Sequence, residues 1–311
     1  MTNLKKKAWW ALTDYEPHAA QKQIHASQAR FIMAICGRRF GKSLLAAKEI
    51  EIEMMSLEPK RIWIVAPTYE LTDKVFREVY KTFHNPKIII NGAQIKKHVV
   101  KSSESKRFIR TSWGTEVIGK SADNPTSLYG EGLDLLVMDE CAQYKDDIWY
   151  KYLRPTLSDR NGRALFISTP EGTNWLHRLY ETPGADYARF QFKSVENPIV
   201  APDAENARGE LPDNIYKMMY EADFYAFEGK VYLDFSADRC VIPQSKLPKS
   251  FDTLLMGVDF GFKNPCAMIV LGYKDQSFYV LDEFYKSGTT PKDRLEALTT
   301  FRKKYGDIWN I

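Results

Sequence analysis

Ala34-Ile-Cys-Gly-Arg-Arg-Phe-Gly-Lys-Ser43 is an apolar run that passes into a loop closing on Gly41-Lys42-Ser43. Phe31–Cys36 reads as a buried strand and residues 44–55 as a helix, so the loop joins a strand end to a helix start. That is the build of a phosphate-binding (Walker A) loop. The first turn of a helix leaves its backbone N–H groups without intrahelical acceptors, and these groups hold phosphate oxygens. Lys42 is placed for the β- and γ-phosphates, and the Ser43 hydroxyl for Mg²⁺. The spacing departs from the usual one in a single respect. The loop's first glycine belongs at position 36, where this chain has Cys36 and offers Gly37 one residue later.

A second element supports the loop. Leu133 to Met138 is a short apolar run ending in Asp139-Glu140, the pattern of a buried parallel strand with acids at its C-terminal edge. Open α/β sheets place their ligands at that edge. Asp139 would hold Mg²⁺ through water, opposite Ser43, and Glu140 would orient or deprotonate the attacking water. Loop and acid pair together point to ATP hydrolysis.

The composition sets bounds on this reading. A chain of 311 residues, 44% hydrophobic and 27% charged, suits a soluble globular protein of roughly two domains. A net charge of +4 allows contact with nucleic acid without demanding it. Cys36, Cys141, Cys240 and Cys266 are too scattered for a zinc cluster or a disulfide framework, so a reducing, intracellular setting fits best. Lys5-Lys6-Lys7 before Trp9-Trp10 lacks the apolar core of a signal peptide, and no run is long enough for a membrane span. The expected setting is a cytosol, or a host's cytoplasm, with no membrane partner.

Residues 15–180 alternate apolar strands with helical stretches, as a mostly parallel sheet does. Candidate strands are 31–36, 61–66, 116–119, 133–139 and 164–168. Between Phe83 and Gly114 the text is basic and polar, with Lys87, Lys96, Lys97, Lys101, Lys106, Arg107 and Arg110; it reads either as a hairpin facing DNA or as a solvated excursion. The expected division is a P-loop domain over 1–196, a linker or bridging subdomain over 197–250 with helical text around Asp213–Phe227, and a new pattern over 251–311. In that last part, strands at 253–260, 266–273 and 277–285 precede a helix at 291–305 with Thr289 or Thr290 near its N-cap. Three strands and a helix, with Asp259 inside the first strand, open a ribonuclease-H-like nuclease domain. A fourth strand would begin at Asp307, and the exposed edge suggests a fragment of a longer protein or a truncated gene product.

In order along the chain, these segments resemble the large terminase subunit, the ATP-driven DNA-packaging motor of tailed bacteriophages. The resemblance is carried by Pro17-His-Ala-Ala-Gln21, the loop over 36–43, Val65-Ala-Pro-Thr-Tyr69, and Gly130 through Ala142 with its Asp-Glu pair. Ile167-Ser-Thr-Pro-Glu-Gly172, Trp175, Gly257-Val-Asp-Phe-Gly261 and Val280-Leu-Asp-Glu-Phe-Tyr285 complete it. The family's phosphate loop is itself deviant and carries arginines. The resemblance implies an ATPase that drives double-stranded DNA into a procapsid, and a C-terminal nuclease that cuts the concatemer using Mg²⁺ or Mn²⁺. It implies a portal protein, a small terminase subunit and a homo-oligomeric ring as partners.

Carried over by position, Gln21 contacts the adenine, and Arg38 or Arg39 acts on the nucleotide phosphates through a planar guanidinium. Ser168-Thr169-Pro170 matches the segment that reports loss of the γ-phosphate. Asp259 is the expected nuclease metal ligand, with Asp282 or Glu283 as a second; the remaining acids are expected beyond Ile311, which leaves the metal site incomplete. One departure concerns Tyr129, which stands where the family supplies an arginine to a neighbouring subunit; Arg107, Arg110, Arg154 and Arg160 are unranked substitutes. Two other readings compete with the motor: a helicase-like translocase, disfavoured because one phosphate loop and the length of chain before the nuclease-like text leave no room for a second motor domain, and a non-catalytic remnant that only binds DNA or packaging partners.

Overall fold

The structure is a computed structural model that describes residues 3–56, 58–145, 147–224, 237–261, 264–306 and 308–310. Two compact units, Met1–Lys230 and Val231–Ile311, divide the chain.

In the first unit the strands are β1 (Phe31–Cys36), β2 (Arg61–Ala66), β5 (Val99–Ser103), β6 (Phe108–Thr111), β7 (Glu116–Ser121), β8 (Leu135–Asp139), β9 (Arg163–Ser168) and β10 (Tyr187–Phe192); β3 (Ile89–Ile90) and β4 (Ala93–Gln94) form a separate two-residue hairpin. The large sheet runs β10-β1-β9-β8-β2-β7-β6-β5. Neighbours from β10 to β7 pair in parallel, and the β5–β6 hairpin closes the edge antiparallel.

All six residues of β1 are buried, which is why an uninterrupted apolar run forms a strand here: both faces of the sheet are covered. Its side chains alternate between two cores. Ile32, Ala34 and Cys36 join the layer of α2 (Ala19–Ala26), α3 (Lys42–Met54) and α4 (Tyr69–Phe83), whereas Phe31, Met33 and Ile35 meet Trp149, Phe166 and Trp175. Fully burying a side chain of this size contributes about 1.5–3 kcal/mol. The result is a P-loop α/β fold. Along α4 the buried residues Val75, Phe76, Val79 and Phe83 form one stripe, and the Thr68 side chain caps the helix by accepting from Leu71 N at 3.4 Å.

Several boundaries differ from the sequence expectation for physical reasons. β8 starts at Leu135 rather than Leu133, because the Leu133 N–H goes to Thr156 O at 2.8 Å and the Asp134 carboxylate takes the Arg61 N–H at 2.7 Å. α3 starts at Lys42, inside the loop, with Gly41 in the left-handed region (φ 97°) as its N-cap. The edge strand β10, with Arg189 and Gln191 exposed, was not anticipated. Neither was α1 (Asn3–Leu12), pinned to α3 by Lys6 Nζ on Glu49 at 2.7 Å and by Trp9 Nε1 on Glu51 at 3.0 Å. Helices over Ala201–Glu210 and Asp213–Tyr220 lie in this unit; residues 225–227 of the helical text expected there fall outside the described residues.

The second unit is a meander of β11 (Thr253–Asp259), β12 (Cys266–Lys274) and β13 (Ser277–Lys286), with β14 (Trp309–Asn310) pairing parallel to β11. The helix Pro291–Tyr305 covers one face through Phe301, with Thr290 and Asp293 in a reciprocal capping box. The three-stranded meander and its helix follow the order read from the sequence, and β14 is the fourth strand expected after Asp307. No helix among the described residues is long and apolar enough to cross a membrane.

Candidate functional site

Because β1, β9 and β8 are parallel neighbours, their C-terminal ends share one sheet edge. Register pairs Ile35 with Ser168, and Asp139 with Ile167. The loop 36–43, Ser168-Thr169 and Asp139-Glu140 therefore meet there, with β9 between the loop and the acid pair.

Lys42 is buried, and its ammonium donates three bonds: to Cys36 O at 3.0 Å, Gly37 O at 3.0 Å and Thr169 Oγ1 at 2.9 Å. An ammonium has three donors, so all are engaged. The N–H groups of Phe40, Gly41, Lys42 and Ser43 have no acceptor among the described residues, and Ser43 is half-buried beside them at the start of α3. Such a concavity of N–H groups at a helix start, beside a cation, is an anion cradle.

Across the edge Asp139 is 1% exposed. Its Oδ1 accepts from Glu140 N at 3.0 Å, and its Oδ2 is buried without a hydrogen-bond partner. Burial pushes the carboxyl up to about 7, the Glu140 carboxylate adds to the rise, and the Lys42 and Lys74 cations oppose it. A buried carboxylate oxygen with an open lone pair, on the same sheet edge as a helix-start hydroxyl and a phosphate cradle, fits Mg²⁺ with its water ligands. Glu140 sits at φ 47°, a left-handed conformation a non-glycine residue holds at some cost, and its Oε2 accepts from Thr169 N at 3.3 Å. Thr169 thus touches Lys42 through its hydroxyl and Glu140 through its backbone. The Ser168 hydroxyl is buried, accepting from Ala142 N at 3.1 Å and donating to Thr169 O at 2.8 Å.

Arg38 and Arg39 are exposed, and neither guanidinium has an acceptor among the described residues. Gln21 reaches the loop, but its amide is taken at both ends: Nε2 donates to Gly41 O at 3.2 Å and Oε1 accepts from His18 N at 3.2 Å. The arginine candidates are all engaged. Arg107 pairs with Asp73 at 2.5 Å, Arg110 with Glu116, and Arg160 with Asp134 at 3.2 Å, while Arg154 lies over the Phe31 ring. Tyr129 is exposed, its ring 4.8 Å from that of Tyr152.

Two residues that bond the loop were missed by sequence reasoning. Ser194 Oγ donates to Arg38 O at 2.6 Å, and Asn197 Nδ2 to Arg39 O at 2.9 Å and Phe40 O at 3.4 Å. Gly37 is the tighter of the loop's two glycines: a Cβ there would lie 2.4 Å from Ser194 Oγ and 2.6 Å from Tyr220 O. The displaced glycine is required by this close approach.

In the second unit the register separates the two acids. Asp282 pairs with Val270 on the helix-covered face, where Lys304 Nζ at 2.7 Å and Tyr305 OH hold its carboxyl below the usual range. Glu283 pairs with Ile269, which pairs with Gly257, so Glu283 shares the open face with Asp259. No group of three or more His, Cys, Asp or Glu that could hold a metal occurs among the described residues. Those residues do not build a two-metal site.

An α/β sheet with a phosphate loop and a carboxylate pair facing it across one strand defines a P-loop nucleoside triphosphatase. Residues 23–182 match the family model for the ATPase domain of the terminase large subunit. A terminase large subunit of Thermus virus P23-45 is 33% identical, over 97% of this chain and 70% of its own length. The large terminase ATPase domain of Thermus phage P74-26 has a TM-score of 0.60 at 28% identity, covering 70% of this chain and 97% of that one. The large terminase of another thermophilic bacteriophage, in complex with ADP, shares the fold over 93% of this chain and 74% of its own (TM-score 0.55, 16% identity). The chain belongs to the large terminase subunit family.

The raised Asp139 pKa has a measurable consequence in the nucleotide-free protein. A carboxyl whose folded pKa lies above its unfolded value contributes stability that is full below the unfolded pKa, near 4, and lost as pH rises through about 7. Asp139→Asn should therefore raise the unfolding free energy at pH 8 by on the order of 1–2 kcal/mol, and the melting temperature with it, and change both little at pH 5. Thermal scans at the two pH values check this; an equal shift at both would show that the Asp139 charge is not the cause.

Proposed function

We propose that this chain is the motor subunit of a phage packaging machine, hydrolysing ATP to move double-stranded DNA into a procapsid. The observation that carries the reading is the convergence of Lys42, Thr169 and Glu140 on one sheet edge beside an open N–H cradle. A thermophilic-phage large terminase of the same fold takes ADP, which supports the reading.

In the proposed cycle the N–H groups of residues 40–43 bind the phosphates. Lys42 leaves its three protein acceptors to meet the β- and γ-oxygens, and Glu140 takes the proton of the attacking water. Ser43 and Asp139 would hold Mg²⁺, which would supply positive charge against the negative charge of the phosphates. Arg38 or Arg39, free of protein acceptors, adds a bidentate contact to the phosphates. When the γ-phosphate departs, Lys42 returns to Thr169, and the change reaches Glu140 through the same residue. Gln21 borders the adenine from the loop's far side.

The division proposed is an ATPase domain over 1–196, a bridging segment over 197–250 and a nuclease part over 251–311. Asp259, with Glu283 on the same open face, supplies part of a Mg²⁺- or Mn²⁺-dependent endonuclease site that needs further carboxylates. A portal protein, a small terminase subunit and other copies of this chain in a ring complete the machine, in the host cytoplasm. Mg²⁺-dependent ATP turnover with and without double-stranded DNA tests the motor reading; absence of both turnover and nucleotide binding would overturn it. For the nuclease part, the 311-residue chain should leave supercoiled plasmid uncut in Mn²⁺ on an agarose gel. Robust nicking that survives Asp259→Ala would remove Asp259 from the assignment.

A further inference from the structure

A phosphate loop works only if its N–H groups turn inward, and that requires its carbonyls to turn outward and find donors elsewhere. In this chain the donors come from a segment far along the sequence. Ser194, fully buried, gives its hydroxyl to Arg38 O at 2.6 Å, and Asn197 gives its amide to Arg39 O at 2.9 Å and Phe40 O at 3.4 Å. The backbone joins in: Gly37 N donates to Phe192 O at 2.9 Å and Arg38 N to Met219 O at 2.6 Å. Phe40, also fully buried, stacks on Phe192 with ring centroids 5.7 Å apart. Between these holds Arg39 keeps φ at 61°, a left-handed conformation a side-chain-bearing residue needs help to maintain.

We infer that Ser194 and Asn197 are positioning residues for nucleotide binding, holding the carbonyls of residues 38–40 outward so that the N–H cradle and the two arginines face the phosphates. Neither touches the nucleotide. The inference rests on the ATPase reading and adds to it the reason a shifted glycine and two arginines are tolerated in the loop. Gly37 brings the chain against Ser194, and the anchored carbonyls leave the arginine side chains unconstrained.

The test compares wild type, Ser194→Ala, Asn197→Ala and Asn197→Asp for ATP turnover, ADP affinity and melting temperature. Loss of one buried or half-buried donor should raise KM for ATP and weaken ADP by about 5–10-fold, with kcat within roughly twofold. Asn197→Asp keeps the shape of asparagine but faces two carbonyls with an acceptor, so it should be worse than Asn197→Ala. The uncharged alanine variant separates this effect from simple repulsion of ATP. A residue that only stabilises the fold would lower the melting temperature and the active fraction while leaving KM alone. That pattern, or KM and ADP affinity equal to wild type in all three variants, overturns the inference. If wild type itself binds no ADP, the ATPase reading fails and the inference falls with it.

Discussion

Lys42→Ala should lower ATP turnover by about 10³-fold and weaken nucleotide binding, with little change in fold. The ammonium is the only cation bonded to both the loop and the end of β9 among the described residues, holding Cys36 O, Gly37 O and Thr169 Oγ1 together. Its removal acts twice. The transferring phosphoryl group loses a preorganised positive charge in a site already shielded from water. The Asp139 carboxyl, which Lys42 helps to keep ionised, is driven further towards its neutral form, and a neutral carboxyl is a poor partner for Mg²⁺. Steady-state turnover with a fluorescent ADP analogue as binding probe checks both effects. A variant that turns over ATP at the wild-type rate would remove the loop from the mechanism.

How much of this was legible in the sequence depends on how local each feature is. β1, the loop and the acid pair could be read directly, since a strand buried on both faces must be continuously apolar and its ligand-binding residues follow it at once in the chain. Thr169 was legible for the same reason, one residue beyond β9. Ser194 and Asn197 were not, because a serine and an asparagine in a polar stretch carry no periodic signal, and their partners lie 156 and 158 residues away. The same limit applied to Gln21: its proximity to the loop was foreseeable, but not that Gly41 and His18 would take both ends of its amide. The choice between Asp282 and Glu283 turned on strand register. A shift between Val270 and Leu271 sets which of two adjacent acids shares a face with Asp259, and such an irregularity leaves no mark in the composition. Edge strand β10 and helix α1 were missed because each is half-solvated and weakly patterned.

Glu140→Gln should separate binding from chemistry. Glutamine has the size of glutamate and retains an amide oxygen that can accept the Thr169 N–H, so the link to β9 and the left-handed backbone at position 140 persist. What disappears is the proton acceptor for the attacking water, a loss of about 10²–10⁴-fold in turnover. Burial, the main cause of the raised Asp139 pKa, stays, but the substitution removes the carboxylate that adds to it, so Asp139 becomes more fully ionised near neutral pH. Mg²⁺-nucleotide binding should therefore be equal to wild type or tighter, most visibly between about pH 6 and 7, where Asp139 is otherwise partly protonated. Lys42→Ala shifts Asp139 the opposite way, so the two variants should diverge in binding while both lose turnover. Single-turnover hydrolysis alongside titration of a non-hydrolysable ATP analogue at pH 6 and pH 8 measures the contrast. Wild-type turnover in Glu140→Gln would assign water activation to another residue. Weakened binding would mean that the two carboxylates hold the metal together, in place of a division into metal holder and base.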